Sequence, residues 1–199
     1  GYIGSHMVRL LLDSGEPVVV FDSLENGHRA ALPSDIPFLK GDLRRREDLE
    51  RLFAAYPTID TVMHFAAYIS VGESVREPGR YFDNNTAGVL TLLESMRAHG
   101  KDKLVFSSTA AVFGEPEYVP IDEAHPKNPT SAYGDSKLAV ERMLLAYDRL
   151  GLRSVILRYF NAAGAAPDGT IGEDHRPEEH LVPVAIEAAR GKRPGLKIF

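Results

Sequence analysis

The chain contains no cysteine, which excludes disulfide staples and thiolate metal sites. No apolar run approaches the ~20 residues that a bilayer-spanning helix needs, so no segment reads as a membrane anchor and no membrane partner is expected. Blocks of like charge are missing as well: 23 basic and 28 acidic residues are interspersed and leave a net charge of -5. That balance lacks the basic stripe that selects nucleic acid or an anionic lipid surface, so no nucleic-acid partner is expected. Repeats and low-complexity tracts are absent. With no secretory leader visible, a cytoplasmic location is the default expectation. What remains is the composition of a globular protein with a real core: 199 residues, 44% hydrophobic and 26% charged.

Apolar spacing predicts a helix over 3–12 with Gly15 as its stop. Pro17-Val18-Val19-Val20-Phe21 is a short continuous apolar run ending at Asp22, the pattern of a buried parallel strand. Further strands are predicted near 38–39, 61–65, 103–107 and 153–159, and helices over 49–56, 89–99 and 136–150, the last two closed by Gly100 and Gly151. Strands alternating with helices define an α/β, doubly wound parallel-sheet fold. After Asn161 the pattern becomes irregular, and Gly, Pro and charged residues dominate 161–180. The expected division is a dinucleotide-binding domain over 1–160 and the start of a smaller substrate lobe over 161–199, with a helix over 183–190 and a final strand at 196–199.

Gly1-x-x-Gly4 at a helix start fits the last two glycines of a dinucleotide-binding loop, where backbone N–H groups and the helix dipole meet a pyrophosphate. Taken alone the pair also fits an ordinary glycine turn. Asp22 stands eighteen residues after Gly4 at a strand end. A carboxylate there accepts from both adenine-ribose hydroxyls and repels a 2′-phosphate, which favours NAD over NADP; a helix-capping role is the bland alternative. If Gly1 belongs to the loop, the central first strand of the sheet is missing. Each backbone hydrogen bond so lost costs about 0.5–1.5 kcal/mol against a total stability of roughly 5–15 kcal/mol. The chain is therefore expected to be cut short at both ends, and poorly folded and inert on its own.

Tyr133 and Lys137 stand four apart, hence on one helical face. They follow Ser107-Ser108-Thr109 at the end of a predicted strand, the edge where ligands of open α/β sheets bind. A free phenol has a pKa near 10 and is a poor base at neutral pH. A nearby ammonium and a cationic nicotinamide would favour phenolate, which takes a proton from a sugar hydroxyl as hydride leaves the carbon, with Thr109 bonding the same oxygen. His180 is either a ligand contact or an exposed loop residue. Glu173-Asp174-His175 does not have the spacing of a metal site, so a solvated loop and no metal are expected.

With Gly1-Tyr2-Ile3-Gly4-Ser5-His6, His64-Phe65-Ala66-Ala67, Val71-Gly72-Glu73-Ser74-Val75, Asp83-Asn84-Asn85, Phe106-Ser107-Ser108-Thr109, Tyr133-Gly134-x-Ser136-Lys137, Arg158-Tyr159-Phe160-Asn161 and Gly172-Glu173-Asp174-His175, the chain resembles the extended short-chain dehydrogenase/reductase family, in its sugar-nucleotide 4-epimerase branch. The resemblance implies a Rossmann fold and reversible 4-epimerisation of a UDP-hexose through a 4-keto sugar with tightly bound NAD. Carried over by position, it places Gly1, Tyr2, Ile3, Gly4, Asp22, Ser23, Leu24, Glu25, Asn26, Gly27, Asp42, Leu43, Phe65, Ala66, Ala67, Asn84, Lys137 and Phe160 around NAD. Asp42 and Leu43 would lie against the adenine and Phe160 near the nicotinamide. Thr109, Tyr133 and Lys137 would be catalytic, and Thr109, Tyr133, Asn161, His180, Leu181, Lys197, Ile198 and Phe199 would contact the UDP-sugar. Members pair two helices from each subunit into a homodimer. Leu90, Leu93 and Met96 mark one such face here and Val140, Met143, Leu144 and Tyr147 another, with core packing accounting for part of both. Two departures stand out: Ile69 replaces a lysine that some members place near the cofactor phosphates, and Thr109 replaces serine.

Related dehydratases carry an Asp-Glu pair directly after the Ser/Thr, to remove water. Here Ala110 and Ala111 stand there and transfer no protons. The alternatives are an epimerase for another UDP-sugar, N-acetylated or pentose, and a non-catalytic NAD-sensing protein. Such sensors usually lack the Tyr-x-x-x-Lys pair.

Overall fold

The computed structural model describes residues 1–175 and 177–195. The chain forms two compact units, one of 20–23 with 38–160 and the other of 1–19, 24–37 and 161–199.

The first unit carries every strand among the described residues, all parallel. Strand β1 (Val20–Asp22) pairs with β2 (Phe38–Lys40), and β3 (Thr61–His64), β4 (Lys103–Thr109) and β5 (Arg153–Tyr159) follow in that order. In the doubly wound order 3-2-1-4-5-6, these ladders take places 3-2 and 4-5-6. No strand of the described residues fills the central place, so the fold is the expected one without its first strand. β1 is shorter than the apolar run predicts. Its ladder begins only at Val20, and Pro17 has no N–H to give.

Helices α2 (Arg46–Ala55), α3 (Val71–Arg76), α4 (Pro78–Tyr81), α5 (Gly88–Ala98) and α6 (Ala132–Asp148) connect the strands. On α5 the buried residues are Val89, Leu92, Leu93 and Met96, spaced i, i+3, i+4, i+7 as a core-facing stripe requires. They pack with Phe53, Leu104, Phe106, Val140 and Leu144. Leu93, Met96, Val140 and Leu144 thus belong to the core of the unit, and of the residues singled out for pairing only Leu90 is exposed.

Two local differences from the apolar pattern matter for the site. Helix α6 starts at Ala132 rather than 136, because Ser131 caps it by accepting from Gly134 N at 3.1 Å. Its first turn, Ala-Tyr-Gly-Asp, has no apolar periodicity to read. Between 71 and 87 the chain is also helical: α3 and α4 run through a π-helical segment, Phe82–Ala87, into α5. Gly72, Pro78, Gly79 and three Asp/Asn residues conceal it, since all are weak helix formers.

In the second unit, helix α1 (Tyr2–Asp13) is held by its side chains. The Tyr2 hydroxyl donates to Gly164 O at 2.8 Å, and the Arg9 guanidinium meets Asp168 at 2.5 and 3.1 Å and Thr170 Oγ1 at 2.7 Å. Apart from Arg176, residues 161–180 contain neither helix nor strand, and α7 (Leu181–Ala189) begins two residues before its predicted start. The predicted strand at 196–199 lies outside the described residues.

Candidate active site

Three consecutive residues at the end of β4 meet three residues of α6 spaced one turn apart. Ser107 O accepts from Lys137 Nζ at 2.8 Å, Ser108 Oγ donates to Glu141 Oε1 at 2.6 Å, and the Thr109 hydroxyl acts on the Tyr133 phenol, whose ionised form it favours. The structure therefore brings Thr109, Tyr133 and Lys137 together. Thr109 Oγ1 also accepts from Ala111 N at 3.1 Å, capping the short 3-10 turn Ala110–Val112. Gly134 lets this turn approach the helix: a Cβ there would stand 2.6 Å from Ala111 O and 2.9 Å from the Pro129 side chain.

The electrostatics differ from the sequence expectation. Burial pushes the Tyr133 phenol up, and the Thr109 hydrogen bond opposes it. Lys137 is not among the groups that shift it; its ammonium points at Ser107 O and sits 4.9 Å from the centroid of the Phe106 ring. Lys137 is itself buried, and burial lowers it to about 7. His64, stacked on Phe106 at 5.5 Å, has no partner for either ring nitrogen. Burial and then the Lys137 charge lower it to about 3, so it is neutral.

Behind the site, Asn85 ties the π-helical segment to the loop after β3. Its carboxamide accepts from Tyr68 N and donates to Tyr68 O, each at 2.9 Å, and also donates to Ser136 Oγ at 3.3 Å. Ser136 Oγ donates to Tyr133 O at 2.7 Å, and Thr86 Oγ1 donates to Ser136 O at 3.1 Å. The Tyr81 ring meets that of Tyr133 edge-on at 6.4 Å. Ser108, Asn85 and Arg158 stand in the motifs quoted from the sequence but were given no role there, and Glu141 lies outside those motifs. Glu141 has a signal there: it is charged at a core position, four residues after Lys137 on the buried stripe of α6.

The remaining predicted residues fall as follows. Asp22 ends β1, and its carbonyl accepts from Gly41 N at 3.2 Å. Ser23 to Gly27 form the following turn, in which Leu24 holds a φ of 60°, a strained value for a branched residue and of the kind that clusters at ligand sites. The Asp42 carboxylate is taken up by Arg44, whose Nε stands 3.0 Å from both oxygens and whose Nη2 is 2.6 Å from one; that hydrogen bonding holds Asp42 below the usual carboxylate range. Leu43 is buried beside Gly88, where an added Cβ would collide with it. Phe65, Ala66 and Ala67 follow β3, and Asn84 donates to Asn85 Oδ1 at 2.9 Å. Phe160 ends its unit, 62% exposed.

In the second unit, Gly1 is the N-cap of α1 and makes no side-chain cap. Asn161 is exposed, and His180 is the N-cap of α7 just before the exposed Leu181. His180 Nδ1 lies 2.7 Å from Glu173 and 3.0 Å from Glu178; His175 Nδ1 lies 3.2 Å from Glu173. His175 is thus gathered with these side chains, half-buried, rather than solvated as the sequence suggests. Glu173, His175, Glu178 and His180 offer ligand atoms within 4.8 Å of one another, a grouping that could hold a cation. Lys197, Ile198 and Phe199 lie outside the described residues.

A doubly wound parallel sheet with Thr109, Tyr133 and Lys137 gathered at one strand end defines a Rossmann protein of the short-chain dehydrogenase/reductase type. All of it, residues 1–199, matches one family, and the chain belongs to the NAD dependent epimerase/dehydratase family. It is 52% identical over 200 residues to a UDP-glucose 4-epimerase of Lacticaseibacillus casei, with all of this chain and 60% of that protein aligned. It superimposes on a UDP-glucose 4-epimerase from Brucella ovis in complex with NAD with a TM-score of 0.96 and 42% identity, over 100% of this chain and 61% of that one. The epimerase from Bifidobacterium longum in complex with NAD+ and UDP gives a TM-score of 0.83 and 38% identity, over 87% and 55%. The chain spans about 60% of the length of the curated relatives it matches.

Proposed function

We propose that the protein interconverts UDP-glucose and UDP-galactose by reversible 4-epimerisation, with NAD retained through each turnover. The observation that carries the reading is the convergence of Thr109, Tyr133 and Lys137 on one strand end, followed by Ala110 and Ala111 where elimination would need an acid and a base. The relatives' names support it, and the membership of the family supports the cofactor.

The residues present fit NAD. Glycine at the start of α1, where an added Cβ would meet nothing within 4 Å, gives a helix N-terminus of the kind that suits a pyrophosphate. Asp22 suits ribose hydroxyls, and the resemblance adds Ser23 to Gly27, Asp42, Leu43, Phe65, Ala66, Ala67, Asn84 and Phe160 as further positions that would contact the cofactor. Lys137 spends one of its three donors on Ser107 O and keeps two, enough for the hydroxyls of a nicotinamide ribose. When bound, NAD supplies reversible acceptance of a hydride from C4 of the sugar. Tyr133 Oη takes the proton of the 4-hydroxyl and returns it. Thr109 supports that transfer by stabilising the phenolate, against burial that disfavours it. Asn161, His180, Leu181, Lys197, Ile198 and Phe199 would contact the UDP-sugar. Leu90 on α5 and Leu145 on α6, 42% and 66% exposed, mark the faces through which two copies would pair into a homodimer, and no helix among the described residues is long and apolar enough to cross a membrane. The cytoplasm is the proposed location.

The test is Tyr133→Phe in the full-length protein, assayed with both UDP-hexoses alongside NAD content. Loss of a general base should lower turnover by about 10²–10⁴-fold, with substrate affinity little changed because only one hydroxyl goes. Near-parental turnover would overturn the mechanism and bring the NAD-sensing reading forward.

A further inference from the structure

The stripe of α6 that carries Tyr133 and Lys137 continues one turn further to Glu141, a carboxylate 4% exposed inside the sheet unit. It is fully engaged. Oε1 accepts from Ser108 Oγ at 2.6 Å and Arg158 Nε at 2.9 Å, and Oε2 accepts from Arg158 Nη2 at 2.8 Å. Ser108 lies between the two β4 residues that touch Lys137 and Tyr133. Arg158 precedes Tyr159, the register partner of Thr109 on β5. One carboxylate thus fastens the helix to the ends of both strands.

Stability alone is a poor account of this arrangement. Desolvating a carboxylate and a guanidinium costs several kcal/mol each, and well-packed apolar residues often do as well or better. What the pair supplies that leucine and methionine cannot is direction: a bidentate fork has one geometry. The catalytic pair needs that. Lys137 reaches the strand end through one hydrogen bond, to Ser107 O, and a single bond does not fix both the rotation of α6 about its axis and its slide along β4. A second attachment one turn further along the same stripe, at Glu141, fixes both.

We propose that Glu141, with Ser108 and Arg158, is a positioning residue that sets the register of α6 against the end of β4 and so holds Tyr133 against Thr109. The proposal rests on the catalytic assignment above, and its test separates the two. In the full-length protein, Glu141→Leu with Arg158→Met removes the fork without leaving a lone buried charge. Its melting temperature should stay within a few degrees of the parent. Turnover should fall about 100-fold, the scale of a 1 Å misplacement, with KM for the UDP-hexose changed by no more than about twofold. The Tyr133 phenol, read as the absorbance difference between each protein and its Tyr133→Phe form, should titrate at higher pH, because the Thr109 hydrogen bond weakens. A merely structural pair would leave that titration and turnover alone, and either result would overturn the proposal. If the double variant does not fold, Glu141→Gln decides: it keeps the shape and a Ser108 partner but only part of the fork. A loss of turnover at parental melting temperature supports positioning, and parental turnover overturns it. Should the parent itself not epimerise, the catalytic reading fails, and the phenol titration still judges the register.

Discussion

Replacing Gly134 by alanine sets two opposed effects against each other. Gly134 is the third residue of α6, and alanine is favoured over glycine in a helix interior by about 0.8–1.0 kcal/mol. The new methyl group, however, would stand 2.6 Å from Ala111 O, 2.9 Å from Pro129 Cβ and 3.2 Å from Ala111 C. Two of these atoms are backbone, in a turn that Thr109 caps, and the third belongs to a rigid ring, so no flexible side chain can rotate aside. Overpacking of this kind costs about 1–3 kcal/mol. Contacts this short put the cost in the upper part of that range, about 2–3 kcal/mol, so the clash wins and the net loss should be about 1–2 kcal/mol, which for a protein of this size lowers the melting temperature by roughly 2–8 °C. Gly72→Ala is the control. It lies in α3 with nothing nearer than Arg76 Nη1 at 3.9 Å, so propensity acts unopposed and the melting temperature should hold or rise. The assay is thermal unfolding followed by circular dichroism, with turnover measured beside it. Turnover of Gly134→Ala should fall further than its stability does, because relieving the contact swings Tyr133 away from Thr109. A Gly134→Ala protein melting at or above its parent would refute the close-approach reasoning.

Lys137→Met should abolish turnover yet raise the melting temperature near pH 6. Lys137 is lowered to about 7 in the folded protein, so between about 7 and its unfolded value near 10.4 the unfolded chain binds more protons; parental stability should climb with pH across that window, and the variant should lose the climb. Asp22→Ala should weaken retention of NAD through purification, and tighter binding of NADP than NAD by the parent would count against the assignment. Leu90→Asp with Leu145→Asp should convert a dimer into a monomer by light scattering at micromolar concentration, and a parent already monomeric there would sink the proposed pairing.

The sheet was legible because parallel strands buried on both faces read as short apolar runs, and β3, β4 and β5 fall within two residues of where those runs predict. The helical stretch from 71 to 87 was not, because it is held by tertiary contacts rather than by propensity. Asn85 clamps both polar groups of the Tyr68 backbone, and a contact seventeen residues away in sequence leaves no periodicity. The start of α6 was misplaced for a related reason, since the cap at Ser131 outweighs the missing apolar repeat. The cluster of Glu173, His175, Glu178 and His180 was likewise hidden, because only the fold brings its members within reach of one another.

At the candidate site the residue types were legible and their electrostatics were not. A tyrosine four residues before a lysine says that phenol and ammonium share a helix face, and from that proximity alone the phenol should be driven down. Proximity along a face is not direction. The Lys137 ammonium is committed to Ser107 O above the Phe106 ring, and the same burial that brings it there disfavours charge on both groups. Pairing two buried groups whose charged forms are both costly makes the site sensitive to what enters it. A ligand that gives Lys137 hydroxyl acceptors shifts it toward the ammonium form, and one that adds positive charge near Tyr133 shifts the phenol toward the phenolate that proton abstraction needs. In its own fold the phenol is held protonated, and the Thr109 hydrogen bond is the one contribution from the described residues that favours its ionisation.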